Sequence, residues 1–490
     1  MQFTGLDWLV LFLYLGGVAV FGYWMGGAQR SAKDYFLSEE KISWLKVAMA
    51  IVATETSAVT FISVPGIAFK GYWSFLQLAF GYIVGRVAVS YLFLPKYFEG
   101  ELTTAYALIE KRFGVDVRKL SAVTFIITRL FADGVRLFVT AIPLALIFRG
   151  YKLFEGISDS EIYIASILIS ALVTLFYVVL GGIRAVIWTD IIQLVIYLLG
   201  AAVAIVILFE KIPNPTESLH LLNEAGKFSI FDFSLNSIFT SPYNFFSAFI
   251  GGGIFAMASH GTDYIIVQRL FTTGTLSESR KALIASGVMV AVQFALFLFI
   301  GSLLYAFYGN LTIRTDEIFP KFIIEYVPSG FAGLIIAGLL AAAMSTLSGS
   351  ISAISSSTVY DLYANSKWGS TKSEAEKLSL SKKVSLIWTA ILTLSAISFL
   401  GMQQSVVEVA LSIASFTYGG LLGLFLLAVM KKRFSSISVA IGFAASILVM
   451  IYIIKFTPLA WTTYTVIGSA TTVFTTYLWN FVAFKTQSRK

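Results

Sequence analysis

Residues 50–66, AIVATETSAVTFISVPG, lie inside an apolar block spanning 43–70 and interrupt it with Ala53-Thr54-Glu55-Thr56-Ser57, followed by Thr60, Ser63 and Pro65. A helix rising ~1.5 Å per residue needs about 20 apolar residues to cross ~30 Å of hydrocarbon, and each unsatisfied polar group it carries there costs several kcal/mol. An ionisable residue flanked by hydroxyls at the centre of such a block therefore marks backbone that lines a cavity, not lipid. The Glu55 carboxylate needs a partner, a proton or an ion.

The rest of the chain has the same character. Of 490 residues, 57% are hydrophobic and 13% charged, with a mean hydropathy of +0.83, whereas soluble domains carry about 25% charged residues. A water-soluble globule is excluded. The apolar runs are continuous and do not alternate over about 10 residues, so the expectation is an all-α membrane protein and not a barrel. Thirteen spans are predicted, at 4–26, 43–70, 72–98, 118–148, 160–181, 186–210, 243–270, 282–308, 329–362, 383–401, 405–430, 435–455 and 459–484. Met1 precedes an apolar stretch with no basic leader, so the first span reads as a retained helix.

With the N-terminus out and the C-terminus in, cytoplasmic segments hold a roughly threefold excess of Lys and Arg over outer ones. The net charge of +8 is then topology, and no nucleic-acid partner is implied. There are no cysteines, the two histidines His220 and His260 form no HExxH pattern, and no Walker A motif occurs. Neither the outer loop near 211–242 nor the inner loop near 364–382 is long enough for a catalytic domain. The chain reads as one multi-pass domain of the cell membrane, not an enzyme, with the lipid bilayer around it and no required protein partner evident.

Three further segments break the rules of lipid-facing helices. The seventh span contains Gly251-Gly252-Gly253, which lowers helix propensity by roughly 1 kcal/mol per glycine. It lies five helices after the second, the spacing expected of inverted five-helix repeats whose first helices are discontinuous; close packing is the alternative reading. The ninth span, GLLAAAMSTLSGSISAISSSTVYD from Gly338, aligns Gly338, Ala342, Ser345, Gly349, Ser352 and Ser356 on one face. That stripe is either a packing seam or, with the Ser345 and Thr346 hydroxyls, the Ala342 carbonyl and carbonyls freed at Ala53 and Thr56, an oxygen cage for sodium. The fourth span places Arg129, Asp133 and Arg136 on one face, so that one arginine pairs with the acid and the other, Arg136 by preference over Arg86, is left for an anion. Asp190, in GGIRAVIWTDIIQ, is expected near a helix N-terminus, where it would complement the dipole.

Together with YVVLGGIRAVIWTDIIQ at 177–193, TDYIIVQR at 262–269, MSTLSGSISA from Met344 and TTAYALIEKRFG at 103–114, these segments resemble the sodium:solute symporter family over nearly the whole chain. The resemblance implies a LeuT-type arrangement: an extra N-terminal helix and loop (1–42), two inverted repeats (43–211 and 242–430), and two C-terminal helices with a tail (431–490). It implies sodium-coupled symport of a small polar organic solute, such as a sugar or a carboxylate like sialic acid. Sodium would be held by Ala53, Thr56, Ala342, Ser345 and Thr346. Relatives with a further sodium site use an acid matching Asp190 and serines matching Ser345, Ser348 and the next position. That position is Gly349 here, without a hydroxyl, so one ion is expected. Solute would meet Glu55, Ser57, Thr60, Phe75, Gln77 and Arg136, although Glu55 would repel an anion unless protonated or turned toward Arg136. Proton coupling through Glu55 and a passive facilitator are the rival readings.

Overall fold

The computed structural model describes residues 3–26, 41–55, 58–99, 105–178, 182–309, 311–364, 369–402 and 405–487. Among the described residues there is no strand. The helices are α1 (Gly5–Gly26), α2 (Trp44–Glu55), α3 (Ala58–Lys70), α4 (Leu76–Leu92), α5 (Leu94–Phe98), α6 (Ala105–Phe113), α7 (Val115–Arg149), α8 (Asp159–Val178), α9 (Gly182–Lys211) and α10 (Pro215–Glu224). They continue as α11 (Gly252–Gly261), α12 (Tyr264–Phe271), α13 (Leu276–Tyr308), α14 (Ile318–Tyr326), α15 (Phe331–Ser356), α16 (Glu374–Ile397), α17 (Val406–Val429), α18 (Ser436–Phe456) and α19 (Tyr464–Gln487). Eight described helices are long and apolar enough to cross a membrane, or nine when α2 and α3 count as one broken span. The protein is a helical membrane protein.

The interruption at 53–57 is a bend. α2 ends at Glu55, α3 begins at Ala58, and their axes diverge by 62°. Thr56 and Ser57 lie outside the described residues. α3 is fixed by its aromatic neighbours: Phe61 packs on Tyr197 of α9, Phe297 of α13 and Phe319 of α14, with ring centroids 5.7, 5.3 and 4.8 Å away. Its far end is covered by the loop between α10 and α11, where Lys227 donates to the carbonyls of Phe69 and Gly71 at 3.0 and 3.2 Å and lies 3.9 Å over the Tyr305 ring. A lysine there satisfies carbonyls that the helix end leaves unpaired, and burial lowers the pKa of its amine.

The triple glycine does not break the seventh span. A π-helical turn over Ser247–Gly251 runs directly into α11. A Cβ on Gly81 of α4 would meet the Phe249 carbonyl and the Gly253 amide, one on Gly85 the Gly253 carbonyl, and one on Gly251 the Thr462 carbonyl. The glycines are therefore close-packing contacts between α4, α11 and the segment before α19. The discontinuity lies ten residues later, between Gly261 and Tyr264, where Asp263 caps α12 by accepting from the Ile265 amide at 3.0 Å.

Much of the small-residue face of α15 is likewise a seam. A Cβ on Gly338 would press on Ile196 of α9, and one on Gly349 would lie 3.4 Å from Arg269 of α12. α1 docks on the start of α15: Asp7 accepts from the Gly330 and Gly333 amides at 2.7 and 3.0 Å. Gly330 has φ +88°, which L side chains rarely adopt.

Candidate functional site

Behind the bend lies a cavity of about 100 Å³, walled by α2 and α3, by Phe75 in the turn before α4, by α4 itself, and by α7, α11, α12, α13 and α17. Of the residues expected to meet solute, Glu55, Thr60, Phe75 and Arg136 line it. Ser57 lies outside the described residues. Gln77 does not line it: its fully buried amide donates to the Ser74 and Tyr243 carbonyls at 3.1 and 2.7 Å and accepts from the Asp232 amide at 3.3 Å. These bonds tie the loop between α10 and α11 to α4 and leave the side chain no reach toward a solute.

The charges are arranged differently from the sequence expectation. Glu55 turns to Arg86, not Arg136, and forms an ion pair with it. Arg86 is fully buried and also donates to Ser286 Oγ at 2.7 Å, so helix carbonyls and snorkelling are not what satisfies it. Asp133 does not leave one arginine over. Its Oδ1 accepts from Arg136 at 2.7 Å and lies 3.5 Å from Arg129, while Arg129 pairs with Asp263 and approaches the Tyr418 hydroxyl at 3.4 Å. Glu55, Asp133 and Asp263 thus balance Arg86, Arg129 and Arg136. Arg136 differs from the other two in being partly exposed, at 22%, with a single hydrogen bond among the described residues, and it lines the cavity.

Sequence reasoning passed over His260, Asp263 and Tyr418. A signal existed for the first two: Ser259-His260-Gly261-Thr262-Asp263 is a polar run inside an apolar span, of the same kind as 53–57. Tyr418 sits in an ordinary apolar stretch of α17 and carries no such mark.

For a cation, α15 packs against both α2 and α3. Ala53, Ala342 and Thr346 are buried, at 7, 8 and 2% exposure. The Thr346 hydroxyl donates to the Ala342 carbonyl at 3.0 Å, which leaves the lone pairs of the hydroxyl oxygen available to a cation. Thr56 and the Ser345 side chain lie outside the described ones. Asp190 is well inside α9, which begins at Gly182, so it caps nothing; it pairs with Arg269 at 3.0 Å. Ser348 is buried on α15.

A helix bent at mid-length beside a charge-balanced cavity defines a secondary membrane carrier. The sodium:solute symporter family model matches residues 35–448, and the chain belongs to that family: it is a sodium-coupled symporter of the cell membrane, not an enzyme. The chain is 28% identical to the sodium/sialic acid symporter NanT of Aliivibrio fischeri, over 97% of this chain and 93% of that one. It is 26% identical to the human sodium/iodide cotransporter, over 88% and 67%. Among solved structures, a substrate-bound, outward-open Na+-coupled sialic acid symporter superposes with a TM-score of 0.85 at 27% identity, covering 97% of this chain and 98% of that one. Mhp1, a nucleobase-cation-symport-1 family transporter, shares the fold at a TM-score of 0.57 and 13% identity, covering 92% and 94%.

Proposed function

We propose that the protein carries a small hydroxylated carboxylate, of the sialic acid class, into the cell with sodium by alternating access. The observation that carries this reading is Arg136, partly exposed in the wall of a cavity directly behind the bend between α2 and α3 and hydrogen-bonded through one of its N–H groups to Asp133. A guanidinium presents a planar fork that suits a carboxylate, and the 28% identical relative is a sialic acid symporter. Thr60 and Phe75 stand in the same wall, and Ser57 is proposed as a further solute ligand.

Sodium is held by the carbonyls of Ala53, Thr56 and Ala342 and the hydroxyls of Ser345 and Thr346. An ion there ties the bent span to α15, so that solute meets a preformed cavity before the carrier closes. One sodium moving down about 100 mV contributes ~2.3 kcal/mol and a tenfold gradient adds ~1.4 kcal/mol, enough for roughly 500-fold accumulation. Asp190 and Ser348 are the residues a second ion would use; the Asp190 to Arg269 pair and the missing hydroxyl at Gly349 favour one.

The topology that fits is thirteen spans, N-terminus out and C-terminus in. An extra helix and loop (1–42) precede inverted repeats at 43–211 and 242–430, and two helices with a tail (431–490) follow. The two discontinuities and the Lys and Arg distribution support it, and the carrier works in the bilayer without an obligate protein partner. The chain has no cysteine, so a single Lys372→Cys should label from the cytoplasmic side alone; labelling from outside reverses the orientation.

The direct test is uptake of N-acetylneuraminate by proteoliposomes under a sodium gradient. Ser345→Ala with Thr346→Ala should abolish sodium-driven uptake, and undiminished stimulation refutes the cation site. Uptake driven by a pH gradient without sodium would replace sodium by protons. Arg136→Ala should remove inhibition by carboxylates, and unchanged solute binding makes the arginine structural.

A further inference from the structure

The end of the cavity that holds Glu55 contains a buried imidazole that the transport reading does not use. His260, on α11, is 2% exposed and lines the cavity beside Ser259. Its Nδ1 lies 2.8 Å from Ser259 Oγ, and its Nε2 lies 3.4 Å from Glu55 Oε2 without making any hydrogen bond. The neighbouring carboxylate favours a proton on Nε2, with the Ser259 hydroxyl donating to Nδ1. Arg86 holds Oε2 of Glu55, while Oε1 makes no hydrogen bond to the described protein. The buried Nε2 of His260, outside hydrogen-bond geometry with its carboxylate neighbour, and the partly exposed Glu55 carboxylate therefore border the same space.

We propose that His260, oriented by Ser259, forms with the Arg86-held Glu55 a hydroxyl-recognising pole that selects polyhydroxylated carboxylates over plain aliphatic ones. The inference rests on the reading of Arg136 as the carboxylate pole. A sugar acid whose carboxylate meets Arg136 presents hydroxyls that donate to Glu55 and accept from His260. An aliphatic acid would cover the same two groups with methylene and leave them desolvated and unpaired. A site built to hydrogen-bond a hydroxyl rejects the analogue that lacks it more strongly than an apolar pocket rejects an added methylene. Glu55 is neutralised by Arg86, so the pole suits an uncharged hydroxyl without repelling the anion bound at the far end. The aromatic rings of Tyr82 and Phe255, stacked at 5.9 Å, form apolar wall beside it.

The test uses thermal-shift titration of the purified full-length protein in sodium, with glucuronate and butyrate as probes. The wild type should bind glucuronate about 10- to 100-fold more tightly than butyrate. His260→Leu should collapse that ratio toward unity by weakening glucuronate while leaving butyrate unchanged or tighter, and His260→Gln, which restores a donor, should recover part of it. A ratio unchanged in His260→Leu overturns the inference. If that variant does not fold, Ser259→Ala, which removes the group orienting the ring, decides in the same way. Should neither probe bind the wild type, the Arg136 reading itself fails. Binding of both with a ratio indifferent to His260 sinks the hydroxyl pole alone.

Discussion

The bend between the helices ending at Glu55 and starting at Ala58 and the interruption between Gly261 and Tyr264 flank one cavity and are built by different means. The first follows Glu55, whose carboxylate pairs across to Arg86 on another helix. The second follows Gly261, and its Asp263 both caps α12 and pairs with Arg129. Ten residues before it, the triple glycine, the more conspicuous feature of the sequence, remains helical. A break in a membrane helix is therefore marked here by polar side chains that find partners on other helices, while a glycine run marks where another backbone comes close.

The sharpest way to break this comparison is Arg86→Leu. It leaves Glu55 buried without its counterion, and loss of one partner of a buried pair costs about 3–5 kcal/mol. Thermal unfolding in detergent should show a large drop, partly recovered when Glu55→Gln is added. An unchanged midpoint would mean that the pair does not hold the first break. Next comes Gly85→Val, which drives methyl groups into the Gly253 carbonyl on α11. Overpacking of this kind costs about 1–3 kcal/mol, and a neutral result would return the triple glycine to a role in breaking the helix. Smaller still is Gln77→Ala, which frees the loop between α10 and α11 from α4 at about 1 kcal/mol and should leave the ratio of binding constants between solutes untouched. An effect of the same order belongs to Tyr418→Phe, which removes the hydroxyl bonded to Asp263. About 0.5–1.5 kcal/mol is expected, with sodium-driven uptake retained, and complete loss of uptake would give that hydroxyl a direct part in transport.

The helical membrane class was legible in continuous apolar runs, and the bend at 53–57 in five consecutive residues of low apolarity. Glu55, Thr60 and Arg136 could be gathered from the sequence because polar groups inside spans have few reasons to exist, whereas Phe75 came only from the family resemblance. The pairing among charges was not legible. Spacing along α7 shows that Asp133 can reach Arg129 and Arg136, but Arg129 turns to Asp263, which is 134 residues away and brought there only by packing. Gln77 looked like a solute ligand by its place at the start of α4, and only the positions of Tyr243 and Asp232 reveal it as a fastener. The expected capping role of Asp190 failed because α9 starts at Gly182, about one turn earlier than the hydropathy pattern suggested, which places Asp190 two turns inside the helix.

Lys227 ties the loop between α10 and α11 to the end of the bent span. Because its ammonium grips the last carbonyls of α3, any tilt of that half-helix pulls on residues around 227 before it is felt elsewhere on the surface. A dye placed on this loop would act as an external dial for a movement taking place in the middle of the membrane.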